Sequence, residues 1–193
     1  MQRICVFCGS STGGDPIYNN AARYLGALLA ERKLGLVYGG GHVGLMGVLA
    51  DAVLAGGGEV IGIIPTHLAE KELAHQRLTE LHVVGSMHER KAMMADKSDA
   101  FVALPGGYGT FEEFFESLTW AQLGLHEKPC GLLNVAGFYD ALLGLVDHAV
   151  TQGFIRATHR DMLLVDDDPA RLLDRFKQYR PVAVPKWITS SDL

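Results

Sequence analysis

The segment ALPGGYGTFEEFFE, residues 103–116, runs from an apolar stretch through three glycines and a threonine into a helical pattern holding three glutamates. Glycines let backbone N–H groups approach a ligand closely, and the N-terminus of a following helix adds partial positive charge. Pro105, Gly106, Gly107, Tyr108, Gly109 and Thr110 therefore form a turn suited to an anion. Glu112 and Glu113 stand directly behind it. Two more glycine-rich turns follow other apolar runs: CGSSTGG, with Gly9 and Ser10, and YGGGHVGLMG, with Gly40, Gly41 and Gly44. Any one of them is equally well explained by tight packing between a strand and a helix. Three on one edge of a sheet point to a nucleotide-like ligand.

A second element is GSMHERKAMMADKSD, which carries Arg90 and Lys91. Arg90 lies three residues after Met87 and four before Met94, so on a helix it borders the apolar stripe and requires an anion or a snorkelling stem. Thr110 and Glu113 match the capping box T-x-x-E, in which the glutamate serves to start a helix. The main apolar stripe of that helix reads as Phe111, Phe114, Phe115, Leu118, Gln122 and Leu125, which points Glu113 away from the core. Trp120 and Leu123 share Glu113's side. A face bearing an aromatic is expected to cover something, either a ligand cleft or a second copy of the chain, and the latter predicts a homodimer with its site near the interface.

The elements that must position these groups alternate along the chain. Strand-like runs are ICVFCG, LGLVYG, EVIGIIP, LHVVGS, AFVALPG, PCGLLNV and MLLVDD. Helical periodicity covers residues 15–33, 44–55, 87–97, 110–125, 137–152 and 169–179, with Asp15-Pro16 and Asp168-Pro169 as helix starts. The stretch 65–80 is more polar and predicts only a short helix. Apolar strands alternating with helices imply an α/β fold: one Rossmann-like, doubly wound and mostly parallel sheet with helices on both faces.

Gly39, Gly41 and Gly44 formally spell the dinucleotide pattern GxGxxG. That pattern normally follows the first strand and expects an acid at the end of the next one. Here it follows the second strand, and the next run, EVIGIIPT, ends in Pro65 and Thr66. A mononucleotide fits better than NAD.

Composition narrows the partners. The 193 residues are 48% hydrophobic, enough for one sizeable core, and 17 Lys and Arg against 22 Asp and Glu leave a net charge of −5. That balance argues against nucleic-acid binding by a basic surface. No apolar stretch reaches membrane-spanning length and the start MQRICVFCGS lacks a secretory pattern, so a soluble cytoplasmic protein is expected. Cys5 and Cys8 form a CxxC inside a strand, where residues three apart face opposite ways, so neither a redox disulfide nor a shared zinc follows. The eight histidines show no HxxxH spacing, and no metal is expected.

PGGYGTFEE resembles the PGGxGTxxE signature of the LONELY GUY family, cytokinin-activating phosphoribohydrolases once misannotated as lysine decarboxylases. FCGSS, VYGGGHVGLMG, MHERK and TWAQLG extend the resemblance over most of the chain. It implies hydrolysis of the N-glycosidic bond of adenosine 5′-monophosphates, often N6-prenylated, releasing the free base and ribose 5-phosphate. It also implies a dimer or larger oligomer. No cofactor is expected. Carried over, Arg90 and Glu113 match the catalytic pair. Glu72, Lys91, the turn from Gly106 to Glu112, and Thr119 match substrate-contacting positions.

Such chemistry builds positive charge on the sugar, which a carboxylate stabilises electrostatically. A helix N-terminus and nearby cations favour the charged form of Glu113. Residues 1–180 read as one nucleotide-binding catalytic domain and 181–193 as an extended tail. A non-catalytic nucleotide or molybdenum-cofactor carrier on the same fold is the competing reading. Lysine decarboxylation would need pyridoxal phosphate and a Schiff-base lysine, and no lysine here stands in a context that singles it out.

Overall fold

A computed structural model describes residues 1–69 and 74–182. Seven strands form one sheet, all neighbours parallel: β1 (Arg3–Phe7), β2 (Gly35–Tyr38), β3 (Val60–Pro65), β4 (Glu80–Val84), β5 (Ala100–Ala103), β6 (Cys130–Leu133) and β7 (Leu163–Asp166). Their spatial order is β4-β3-β2-β1-β5-β6-β7. The chain thus winds outward from β1 in one direction, returns, and winds outward in the other from β5. The crevice between the carboxyl ends of β1 and β5 is the topological switch point, where open α/β sheets bind ligands.

The eight helices among the described residues are α1 (Pro16–Glu31), α2 (Gly44–Ala55), α3 (Thr66–Ala69), α4 (Met87–Asp96), α5 (Tyr108–Gln122), α6 (Asp140–Thr151), α7 (Ala157–Arg160) and α8 (Pro169–Gln178). Period-two alternation along the strands divides the core between the two faces. Ile4, Val6, Leu36, Tyr38 and Val102 pack against Leu25, Leu29, Leu49 and Leu173 of α1, α2 and α8. Cys5, Phe7, Val37, Ile61 and Phe101 pack on the other face against Met94 of α4 and Phe114 of α5. Cys5 belongs to one face and Cys8 lies against the other, as strand geometry requires. All three cysteines are free.

Local chemistry fixes the helix starts. Asp15 accepts from Ile17 N with Pro16 next in line, and Asp168 accepts from Arg171 N with Pro169 next. Ser86 caps α4 through Glu89 N, and Glu89 in turn accepts from Gly85 N. The four-residue α7 interrupts a segment with no periodic signal, so it was not foreseeable from spacing.

Two expectations fail at α5. Its N-cap is Gly107, in extended conformation, and no side chain caps it. Thr110 is therefore inside the first turn, and Thr110 and Glu113 do not form a capping box. The buried face comprises Thr110, Glu113, Phe114, Ser117 and Ala121, rotated from the stripe expected on hydrophobicity alone. Glu113 points inward. Trp120 is half-buried against the core beside Phe111 and Leu118, so the core explains that aromatic. The reason is common to both: a buried ion pair and a hydroxyl occupy places that apolar periodicity cannot register. Phe114, 1% exposed, anchors the helix, and truncating such a ring costs about 3–5 kcal/mol. The expected C-terminal tail falls almost wholly outside the described residues.

Candidate active site

The first and fifth strands deliver the first and third glycine turns to the switch point. Gly9 N donates to Pro105 O at 3.1 Å, tying the two turns together. Gly44 of the second turn joins them. It has φ +61°, in the left-handed region, and a Cβ there would collide with the backbone of Ser10 and Ser11. Leu45 N, one residue on, donates to Gly9 O at 3.0 Å. Gly106 is equally constrained, since a Cβ would lie 2.7 Å from Thr110 Cβ and 2.9 Å from Gly9 N.

Arg90 and Glu113 meet beneath this surface. Arg90 Nη1 donates to Glu113 Oε1 at 2.6 Å, and Arg90 Nε donates to Ile63 O at 3.1 Å. Arg90 is 6% exposed and Glu113 9%. The guanidinium, carried on α4, is thus held from β3 and α5 at once. Removing either partner of such a buried pair costs about 3–5 kcal/mol, because the other charge is left without compensation.

A cavity of about 300 Å³ opens over the pair. Gly9 and Ser10 form one wall, Gly107, Tyr108, Gly109, Thr110 and Glu112 another, with Leu68 and Met87 closing it. The first helical hydrogen bond of α5 is from Phe111 N to Gly107 O, 3.1 Å. Tyr108, Gly109 and Thr110 precede it, in the first turn of a helix without a side-chain cap. Their N–H groups, with the helix dipole behind them, form an anion-binding rim.

Not every expected residue reaches this cavity. Pro105 and Gly106 line an adjoining cavity of about 250 Å³ with Tyr18 and Phe138, on the other side of Gly107. Gly40, at φ +78°, faces Ile63, Ile64 and Leu81, and Gly41 pairs with Ala74. Lys91 donates to Glu112 at 2.6 Å and Glu116 at 2.9 Å. Thr119 Oγ1 donates to Phe115 O at 2.7 Å on the exposed side of α5. Glu72 lies outside the described residues. Spacing passed over Gly39, Leu68 and Met46 as site residues, although all three line the cavity. Only the contacts of Gly39 mark it out, for a Cβ there would occupy the place of Arg90 Nη2.

Titration behaviour limits the nucleophiles. Burial, reinforced by the charge of Glu113, pushes the Cys8 thiol far above its ordinary range, so it stays protonated. Burial alone would lower the Lys91 ammonium, but hydrogen bonds to Glu112 and Glu116 outweigh it and raise the pKa. A Schiff-base lysine needs the opposite shift.

A larger cavity, about 750 Å³, lies elsewhere, along small residues of α1 and α2. At its end His42, Asp51 and His75 bring possible metal ligands within 4.8 Å of one another. Sequence spacing gave no sign of this cluster. His75 Nδ1 accepts from Arg77 N at 3.2 Å, which leaves the proton on Nε2, 3.1 Å from Asp51 Oδ1. Both ring nitrogens are therefore engaged, and the cluster is a hydrogen-bonded network and not a ready cation site.

The family model described as "Possible lysine decarboxylase" matches residues 46–176, a span that includes Arg90 and the whole glycine turn before α5. The chain belongs to the LONELY GUY family. It is 56% identical over 94% of its length to the rice (Oryza sativa subsp. japonica) protein named "Probable cytokinin riboside 5'-monophosphate phosphoribohydrolase LOGL9", covering 80% of that relative. It is 52% identical over 94% of its length to the Arabidopsis thaliana cytokinin riboside 5'-monophosphate phosphoribohydrolase LOG2, covering 85% of it. Among solved structures, the molybdenum cofactor binding protein of Rippkaea orientalis superposes with a TM-score of 0.69 at 22% identity, covering 92% of this chain and 97% of that one. The last comparison concerns the fold alone.

Proposed function

We propose that this protein hydrolyses the N-glycosidic bond of adenosine 5′-monophosphates, including N6-modified ones, to give the free base and ribose 5-phosphate. The observation that carries this reading is the buried Arg90–Glu113 pair set at 2.6 Å beneath a helix N-terminus without a side-chain cap. A pure phosphate binder gains nothing from a carboxylate beside its ligand. That feature disfavours a nucleotide or molybdenum-cofactor carrier.

The 5′-phosphate is held by the backbone of Gly107 to Thr110, opposite Gly9 and Ser10. That placement sets the ribose over Glu113. As the bond to the base breaks, positive charge grows on the sugar, and the Glu113 carboxylate stabilises it. The same carboxylate is placed to orient or deprotonate the attacking water. Arg90 fixes the carboxylate's position, and Lys91 fixes Glu112 and Glu116 behind the rim. The water's oxygen bonds to the anomeric carbon and the base departs with the bonding pair, taking up a proton. No metal or organic cofactor enters this scheme.

The active unit is a homodimer with the site near its interface. Tyr108 at the cavity rim is 93% exposed, and Leu125, Leu145 and Phe154 are each more than 60% exposed. Exposed apolar groups of this size are what a second copy of the chain could cover. Sedimentation at micromolar concentration that gives only monomer would overturn this part. No helix among the described residues is long and apolar enough to cross a membrane, and a cytoplasmic setting suits three free thiols.

The direct experiment incubates the protein with AMP, with isopentenyladenosine 5′-monophosphate and with adenosine, following free base by chromatography. Base released from the nucleotides, lost in Glu113→Gln, supports the reading. Binding without cleavage favours the carrier. Equal turnover of adenosine and AMP would remove the phosphate role of the glycine turn.

A further inference from the structure

The segment between β3 and β4 is fastened to the second glycine turn at Ala74 and His75. Ala74 forms an antiparallel bridge with Gly41, and His75 N donates to Gly40 O at 3.0 Å. The His75 side chain, 2% exposed, is locked in turn. Its Nε2 donates to Asp51 on α2, its Nδ1 accepts from Arg77 N, and its ring stands edge-on to His42 at 4.7 Å. Arg77 Nη2 donates to the same Asp51 oxygen at 3.0 Å. On the near side of this anchor, Ala74 N donates to Ala69 O at 3.1 Å, which closes the segment back onto α3. α3 carries Leu68, a wall of the cavity over Arg90 and Glu113.

We propose that His75 is a positioning residue for the nucleotide site: through Asp51 it clamps the 74–77 stretch to the second glycine turn, and through the Ala74–Ala69 bond it holds Leu68 against the ligand. This rests on the nucleotide reading given above. α3 is a single turn, with no buried residue of its own, so it has little packing to hold it in place. At its start Thr66 Oγ1 donates to Val84 O of β4 at 3.2 Å, so the turn depends chiefly on what holds its two ends. One end is β3. The other is fastened by the His75 network.

A wall that touches the ligand equally before and during reaction contributes to KM more than to kcat. His75→Ala is expected to raise KM for AMP about tenfold with kcat within about twofold of the parent. Leu68→Ala should reproduce that change, and the double variant should add less than about twofold further, because both act on one contact. Should His75→Ala fail to fold, Asp51→Ala serves. It sits half-exposed on a helix where alanine is favoured, and a KM rise of about three- to fivefold is expected there.

The same variants in a Glu113→Gln background, titrated with AMP by calorimetry, report affinity without turnover. Unchanged KM and affinity in folded His75→Ala and Asp51→Ala, or full additivity with Leu68→Ala, overturns the clamp while leaving the hydrolase intact. An unsubstituted protein that neither binds nor cleaves AMP overturns the nucleotide reading, and the clamp with it.

Discussion

Gly39 and Arg90 are in such close contact that the place a Cβ would take on Gly39 is filled by Nη2 of Arg90. The neighbour is the far end of a flexible side chain, not backbone. Gly39→Ala is therefore expected to fold, with the guanidinium displaced and its 2.6 Å bond to Glu113 broken or bent. A misplacement near 1 Å in a catalytic constellation costs about 100-fold in rate. Kinetics alongside thermal melts should show activity falling by that order with a melting temperature close to the parent's. An active Gly39→Ala would mean that the exact seat of Arg90 does not matter.

The two members of the ion pair should fail differently. Glu113→Gln leaves the Arg90 charge unneutralised but keeps an acceptor for Nη1 beside the bond to Ile63 O, so it should lower stability less than truncation does while cutting kcat about 100-fold or more. Arg90→Ala strands the Glu113 carboxylate in a buried place and should also lower stability by about 3–5 kcal/mol. Urea unfolding of both variants separates these outcomes. Equal destabilisation by the two substitutions would contradict the account.

Gly106 and Gly109 stand three residues apart but in unlike surroundings. A Cβ on Gly106 runs into Thr110 and Gly9, whereas one on Gly109 meets nothing within 4 Å. Gly109→Ala should leave the fold unharmed or stabilise α5 by up to about 1 kcal/mol through helix propensity. It should nonetheless raise KM for AMP if the turn cradles a phosphate, since the methyl group then meets only the ligand. Unaltered KM would place the phosphate elsewhere.

His126 gives the protein an acid-sensitive joint. Burial, with a further contribution from the Lys128 charge, lowers its pKa below the ordinary 6.5, against a hydrogen bond to Ser117 O that raises it. Its Nε2 lies 3.0 Å from Ser117 O and its Nδ1 accepts from Lys128 N at 3.1 Å, an arrangement that suits the neutral ring. The unfolded chain binds the proton more readily, so this contribution to stability is complete above pH 6.5 and is lost as pH falls through the lowered folded value. Urea midpoints at pH 7.5 and 5.0 should show a smaller drop for His126→Gln than for the parent. An identical drop would assign the acid sensitivity to other groups.

Much of this protein is written in local order. All seven strand runs appear as strands, because parallel strands covered on both faces must be apolar throughout, a pattern that needs no partner to be visible. Asp15-Pro16 and Asp168-Pro169 start helices as expected, since capping is satisfied within four residues. The glycine turn before α5 and Glu113 are likewise legible as a signature, and Arg90 as a charge bordering an apolar stripe. What tertiary structure alone decided depends on contacts between distant segments. Periodicity turned Glu113 outward and made Thr110 a cap, because it weighs hydrophobicity and cannot see a guanidinium arriving from α4. Gly39 stood out only as part of a GxGxxG spelling until Arg90 was placed against it. The His75 network joins α2 to a segment some twenty residues later, and its protons are assigned only once the acceptors are in place. Short-range propensity determined which elements form, and burial of charge across elements determined where the candidate site lies.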